Sequence, residues 1–211
     1  LALTLNTMGK TTKALQIATE ASQQAPDYAP AQNCLGTIYF ECEKFENASI
    51  CFKDAITLDP AYADGHNNLA NTLTKLGNMP EAHKNYDVAL QVSPENPNYW
   101  ANKAAAFQAE NKIDDALSAV EKALNIQPDH ADATWNRAIA RLISGDLAAG
   151  FTDYEARWRL PEFKRRKIDS LLWQGESLAG KTLLLYSEQG FGDTLQFIRY
   201  VSLLAAQNPK A

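Results

Sequence analysis

Residues able to do chemistry fall in two places in this 211-residue chain. Near the end, Glu188-Gln189-Gly190-Phe191-Gly192-Asp193 follows an apolar run, Thr182-Leu183-Leu184-Leu185-Tyr186, and precedes an apolar-periodic stretch. That order predicts strand, glycine-bearing turn and helix. Gly190 and Gly192 allow positive φ and close backbone approach. A helix opening at Asp193 would aim free N–H groups and partial positive charge at a phosphate or another anion. Asp193 also has the side chain of a simple helix N-cap. Glu188 and Arg199 flank the turn with no assignable role.

The second place is a set of asparagines. Asn68, Asn102 and Asn136 recur every 34 residues, and Asn33, Asn67, Asn71 and Asn98 lie close to them in sequence. Asparagine is a mediocre helix former, so its recurrence inside helical sequence needs a reason. Its amide supplies two donors and an acceptor. A row of such amides could pair with the backbone of an extended peptide, or could tie one repeat to the next. Spacing alone leaves both open.

Other chemistries lack their residues. No Ser/His/Asp set and no Walker sequence is present, and His66, His83 and His130 show no metal-ligand spacing. No metal or cofactor is expected. Cys34, Cys42 and Cys51 are odd in number and form no CxxC pair, which fits reduced, partly buried thiols in a cytoplasmic setting.

The elements that must position the asparagines follow a 34-residue period. Pro26, Pro60, Pro94 and Pro128 keep this step. So do the small residues Ala14, Ala48, Ala82, Ala116 and Gly150, and the series Ala21, Ala55, Ala89 and Ala123. A large residue lies between the two series at Phe52, Tyr86, Val120 and Tyr154, with Ala18 as the first-repeat exception. Gly9, Gly77 and Gly145 fall in the turn between helices, with Glu43 and Asn111 in the other copies. Small residues let paired helices approach, the large one fills the gap beside them, and proline stops the second helix.

This pattern resembles the tetratricopeptide repeat, a 34-residue helix-turn-helix unit. The resemblance implies an all-α, right-handed superhelical solenoid. A partial first repeat spans 1–28, full repeats 29–62, 63–96 and 97–130, and a divergent last repeat 131–160, followed by a linker over 161–180. It also implies a concave face lined by the first helix of each repeat, carrying a protein or peptide partner. Asn33, Asn67, Asn68, Asn71, Asn98, Asn102 and Asn136 are the candidate peptide-binding residues, in an arrangement similar to the asparagine ladder of O-GlcNAc transferase. Position five carries Asn33, Asn67, Ala101 and Trp135, and position nine Thr37, Asn71, Ala105 and Ile139. Paired cations are missing there, so the resemblance does not extend to a clamp for a chaperone's C-terminal carboxylate. In the last copy the concave positions turn apolar, at Trp135, Ile139, Leu142 and Ile143.

After residue 144 the motifs G-F-x-x-Y-E-x-R-W, W-x-G, G-K-T-L-L-L and E-Q-G-x-G-D-T-x-Q-F-x-R-Y follow in order. As an ordered set they resemble bacterial proteins in which tetratricopeptide repeats precede a heptosyltransferase-like glycosyltransferase of two α/β lobes. The resemblance implies that 181–211 opens the first lobe. Gly190, Gly192 and Asp193 would then contribute to a nucleotide-sugar phosphate loop, and Asp193 would be a candidate catalytic base in an intact parent protein. The 211 residues by themselves are expected to be a non-catalytic binding scaffold. A lone strand at 182–186 needs a partner edge, so it is expected to pair with the last repeats or with a second copy, the latter giving a homodimer.

Charge narrows the partners. Net charge is −5. Up to Leu160, 13 Lys and Arg stand against 20 Asp and Glu, which disfavours nucleic acid. Lys164-Arg165-Arg166-Lys167 reads as a solvated linker. No apolar run reaches the roughly 20 residues of a membrane span, and the first residues make a poor signal peptide. A cytoplasmic location is expected.

Overall fold

Proline and glycine punctuation set the helix ends. The computed structural model describes residues 1–161, 163, 173, 175–178, 180–185 and 198–207. Its chain divides into two units, Leu1–Leu160 and Pro161–Ala211. In the first unit α1 is Ala2–Thr7, α2 Thr11–Gln24, α3 Ala29–Glu41, α4 Phe45–Leu58 and α5 Ala63–Lys75. They continue as α6 Met79–Val92, α7 Pro97–Ala109, α8 Ile113–Ile126, α9 Ala131–Ser144 and α10 Leu147–Tyr154. A 3₁₀ turn, Glu155–Arg159, closes the unit.

Each long second helix stops two residues before its proline. The intervening residues Ala25, Asp59, Ser93 and Gln127 have φ between −131° and −136°, as the residue before a proline is pushed to be. The turns between paired helices share one cap. Gly9, Glu43, Gly77, Asn111 and Gly145 all adopt positive φ. The next N–H then reaches back five residues, as in Lys44 to Tyr39, Asn78 to Leu73, Lys112 to Phe107 and Asp146 to Arg141, each at 2.9 Å. This is the Schellman arrangement, which satisfies the last carbonyls of the helix. Glu43 is the unusual member, since a Cβ is strained there.

The core is where the small-large-small pattern placed it. Ala48, Ala55, Ala82, Ala89, Ala116 and Ala123 are sealed from solvent, with Phe52, Tyr86 and Val120 between them. Each of these large side chains contributes roughly 1.5–3 kcal/mol by burial. A Cβ at Gly36 would lie 2.7 Å from the Phe52 ring, so α3 and α4 cross at a distance that only glycine permits. Paired helices pack within a repeat, and each second helix packs on the next first helix. The first helices α1, α3, α5, α7 and α9 also touch their successors, whereas the second helices make no comparable contact. The stack therefore closes on the first-helix side and opens on the other.

The second unit departs from expectation. Residues 181–185 carry no regular structure, and Leu184 and Leu185 are exposed. No strand occurs among the described residues. A single apolar segment has no second edge to receive its N–H and C=O groups, so β propensity alone does not order it. The expected pairing, with a second copy or with the last repeats, has no strand over 182–185 to rest on. A 3₁₀ turn, Ile198–Tyr200, leads into α11, Val201–Gln207. Gly190, Gly192 and Asp193 lie outside the described residues.

Candidate functional site

The recurring asparagines sit on the first helices, where repeats meet. Asn102 Nδ2 donates to Asn67 Oδ1 at 3.0 Å, Asn67 Nδ2 to Asn68 Oδ1 at 3.3 Å, and Asn68 Nδ2 to Asn33 Oδ1 at 2.9 Å. The amides thus form one directional chain through α7, α5 and α3. The next step keeps the geometry but changes the acceptor. Position five of that copy is Ala101, and Asn136 Nδ2 donates to its backbone carbonyl at 2.9 Å. Gln108 Nε2 returns a bond to the Asn136 carbonyl at 2.5 Å. Asn98 Oδ1 receives His130 Nε2 at 3.0 Å while His130 Nδ1 accepts from the Ala133 N–H. Across the preceding junction, α5 to α7, the Tyr99 hydroxyl bonds Asp64 at 2.5 Å, and burial with the Asp64 carboxylate holds its phenol protonated far above the usual range.

The asparagines at positions five and six therefore hold repeats together. Their burial is consistent with this role: Asn67 is buried, and Asn33, Asn68, Asn102 and Asn136 are half-buried. Asn71, at position nine, differs. Its Oδ1 accepts from the hydroxyl of Tyr86 at 2.7 Å. Tyr86 is sealed from solvent, and burial pushes its phenol up to about 12. A buried tyrosine needs a partner for its hydroxyl, and meeting that need orients the Asn71 amide. Asn71 lines a cavity of about 70 Å³ with Thr37, Phe40, Phe52 and Asn68. Sequence reasoning placed Phe52 and Tyr86 in the packing and left out this second duty. A tyrosine where neighbouring copies carry Phe52 and Val120 was the available signal.

The last repeat is built around charge and aromatic rings. Asp153 takes two bonds from Arg137, at 2.7 and 2.8 Å, and one from Arg141 at 2.6 Å, clamping α9 to α10. Trp135 lies 4.9 Å from the Tyr154 ring, and the buried Arg157 guanidinium stacks on Tyr154 and Trp158. The motif residues Tyr154, Glu155, Arg157 and Trp158 are thus structural partners of one another here. The cysteines are free. Burial raises Cys34, and burial with the nearby Asp54 charge raises Cys51 to about 11, so both remain thiols at neutral pH and are poor nucleophiles. Among the described residues no group of three or more His, Cys, Asp or Glu could hold a metal ion. No helix there is long and apolar enough to cross a membrane.

Known proteins share this architecture. Three models of tetratricopeptide-repeat families match residues 36–77, 67–93 and 102–163. Protein FlbA of Caulobacter vibrioides is 27% identical, over 82% of this chain and 35% of its own length. The TPR repeat-containing thioredoxin TTL4 of Arabidopsis thaliana is 38% identical over 38% of this chain and 11% of its own. The chain spans about a third or less of these relatives. Among solved structures, a thermophilic TPR protein of Thermus thermophilus superposes with a TM-score of 0.68 at 18% identity, covering 77% of this chain and 89% of that one. MamA superposes with a TM-score of 0.61 at 16% identity, covering 75% and 93%. Period, helix pairing, cap geometry and family models agree: the chain carries tetratricopeptide repeats.

Proposed function

We propose that this chain is a non-catalytic scaffold that binds a protein partner in extended form along its concave, first-helix face. One observation carries the reading. The first helices pack on their successors, and at the positions expected to face the concave side Asn71, Thr74 and Gln108 are half-buried, neutral and polar, with exposed Ala105 and Ala109 beside them. Such a surface offers hydrogen bonds to a main chain with little regard for its side-chain charge. Relatives named for assembly support it, among them the Hsp70-Hsp90 organizing protein of Triticum aestivum and the BBSome complex member bbs-4 of Caenorhabditis elegans. Peptides selected from a random display library on the full chain should lose binding when exposed Ala105 is changed to arginine. Binding indifferent to Ala105→Arg would move the site off this face.

A second reading makes the repeats the acceptor-recognition region of a nucleotide-sugar-dependent glycosyltransferase. The motif order after residue 144 supports it. Gly190, Gly192 and Asp193 would serve the phosphate loop, with Asp193 as base. The intact parent should then release nucleotide from a sugar donor, and Asp193→Asn should abolish that release while peptide binding persists.

A further inference from the structure

The geometry points to a side-chain pocket between α3 and α5 that reads one small aliphatic residue of the bound segment, with the Asn71 amide donating to that residue's own backbone. This rests on the concave-face reading and adds what the face selects.

Three observations meet at the cavity. Its size is about 70 Å³. That is about half of the roughly 150 Å³ apolar cavity that takes up benzene, so a valine-sized group fills this half-open pocket whereas an aromatic ring is taken in only in part. Its apolar lining is Phe40 and Phe52, the latter only 1% exposed. Thr37, Asn68 and Asn71 complete the lining, and none of the five carries a charge. A carboxylate or ammonium entering here would be desolvated without a counter-charge, whereas a neutral aliphatic group loses only unfavourable water contact.

The second half of the site is directional. The Thr37 hydroxyl is spent on the Asn33 carbonyl at 2.9 Å, and Asn68 is spent on Asn33 and Asn67. Asn68 Nδ2 uses one of its two N–H groups, whereas both N–H groups of Asn71 are unused among the described residues. The Tyr86 hydroxyl holds Oδ1, and Nδ2 makes no hydrogen bond among the described residues. With the amide orientation set from the core side, Nδ2 is pre-arranged for a carbonyl acceptor, and an extended main chain presents one beside each side chain. Preorganisation of this kind lowers the ordering cost of binding.

The test uses the full chain and a positional-scanning library of acetylated, amidated synthetic peptides. Wild type should prefer valine, leucine or isoleucine at one position over phenylalanine, aspartate or lysine by about tenfold or more. Thr37→Leu fills the cavity. Asn71→Asp keeps an oxygen for the Tyr86 hydroxyl but removes the donor. Each should weaken the best peptide by about tenfold or more, with helicity retained by circular dichroism. Wild-type binding that ignores both folded variants, or that prefers charged or aromatic residues, overturns the pocket and leaves the concave-face reading standing. Failure of the wild-type chain to bind any library peptide overturns both.

Discussion

Replacing Asn67 by alanine tests whether the asparagines are ties or ligand contacts. Asn67 is buried, accepts from Asn102 at 3.0 Å and donates to Asn68 at 3.3 Å. A net hydrogen bond is worth about 1 kcal/mol, and the longer one falls toward about 0.5. Asn67→Ala should therefore cost about 1.5 kcal/mol, and Asn102→Ala about 1 kcal/mol. Their shared bond is lost only once in the double variant. The double variant should thus cost about 1 kcal/mol less than the two single losses together. Urea unfolding followed by circular dichroism, on the chain without any partner, measures all four corners of the cycle. Ala105→Arg, on an exposed side chain without hydrogen bonds, is the control and should leave the midpoint unchanged. An Asn67→Ala chain as stable as wild type, or a coupling near zero, would refute the inter-repeat role.

Two further expectations are separable from that one. Glu43→Gly should stabilise the chain by roughly 0.5–1 kcal/mol, because the left-handed conformation penalises a Cβ by about 1–2 kcal/mol and glycine gives back about 0.5–1 in chain entropy; thermal melting should rise by about 1–4 °C, and a fall would show that φ 57° at this turn is not strained. The pH profile should weaken at both ends. Cys51 and Tyr86 have folded values raised to about 11 and about 12 from 9.0 and 10.0. Their contribution is complete below pH 9 and is lost as pH climbs through 9–12. Glu110 is held below its usual range, first by its bond to His83 and then by Lys112. Its contribution is present above the ordinary carboxylate value and disappears as pH falls through the folded one. Cys51→Ser should flatten part of the alkaline limb, and a limb unchanged in that variant would assign it elsewhere.

The repeat architecture was legible because it rests on short-range rules repeated in register. Proline at 26, 60, 94 and 128, and small residues around a large one, each act on the next few residues or on one helix crossing. Even the departures were marked, since Glu43 and Asn111 sit at the turn position that glycine holds elsewhere. The run 182–186 reads as a strand in the sequence, yet 182–185 carry none, because a strand is not a local object. Its Thr-Leu-Leu-Leu-Tyr composition favours extended backbone, but ordering depends on an edge that composition does not report. The asparagine roles were half legible. Their recurrence announced a purpose, while the choice between ligand and neighbouring repeat depends on which amide faces which, and that is decided by pairs 35 residues apart.

The division of labour among these amides follows from what lies behind them. Asn102 and Asn67, and Asn68 and Asn33, face each other across helix junctions, and the Asn67–Asn68 bond links the two pairs into one directional chain. Asn71 faces the buried hydroxyl of Tyr86, which has a hydrogen to give, so the Asn71 oxygen turns inward and its donor is left over. Where the same position carries Ala105 or Ile139, no such leftover donor exists. On the proposed reading, recognition along this face would concentrate near the α3–α5 junction, where Asn71 keeps its donor. Changing a tie should alter stability and, through spacing, affinity; changing Asn71 to Asp should alter affinity with the repeat-to-repeat hydrogen bonds intact.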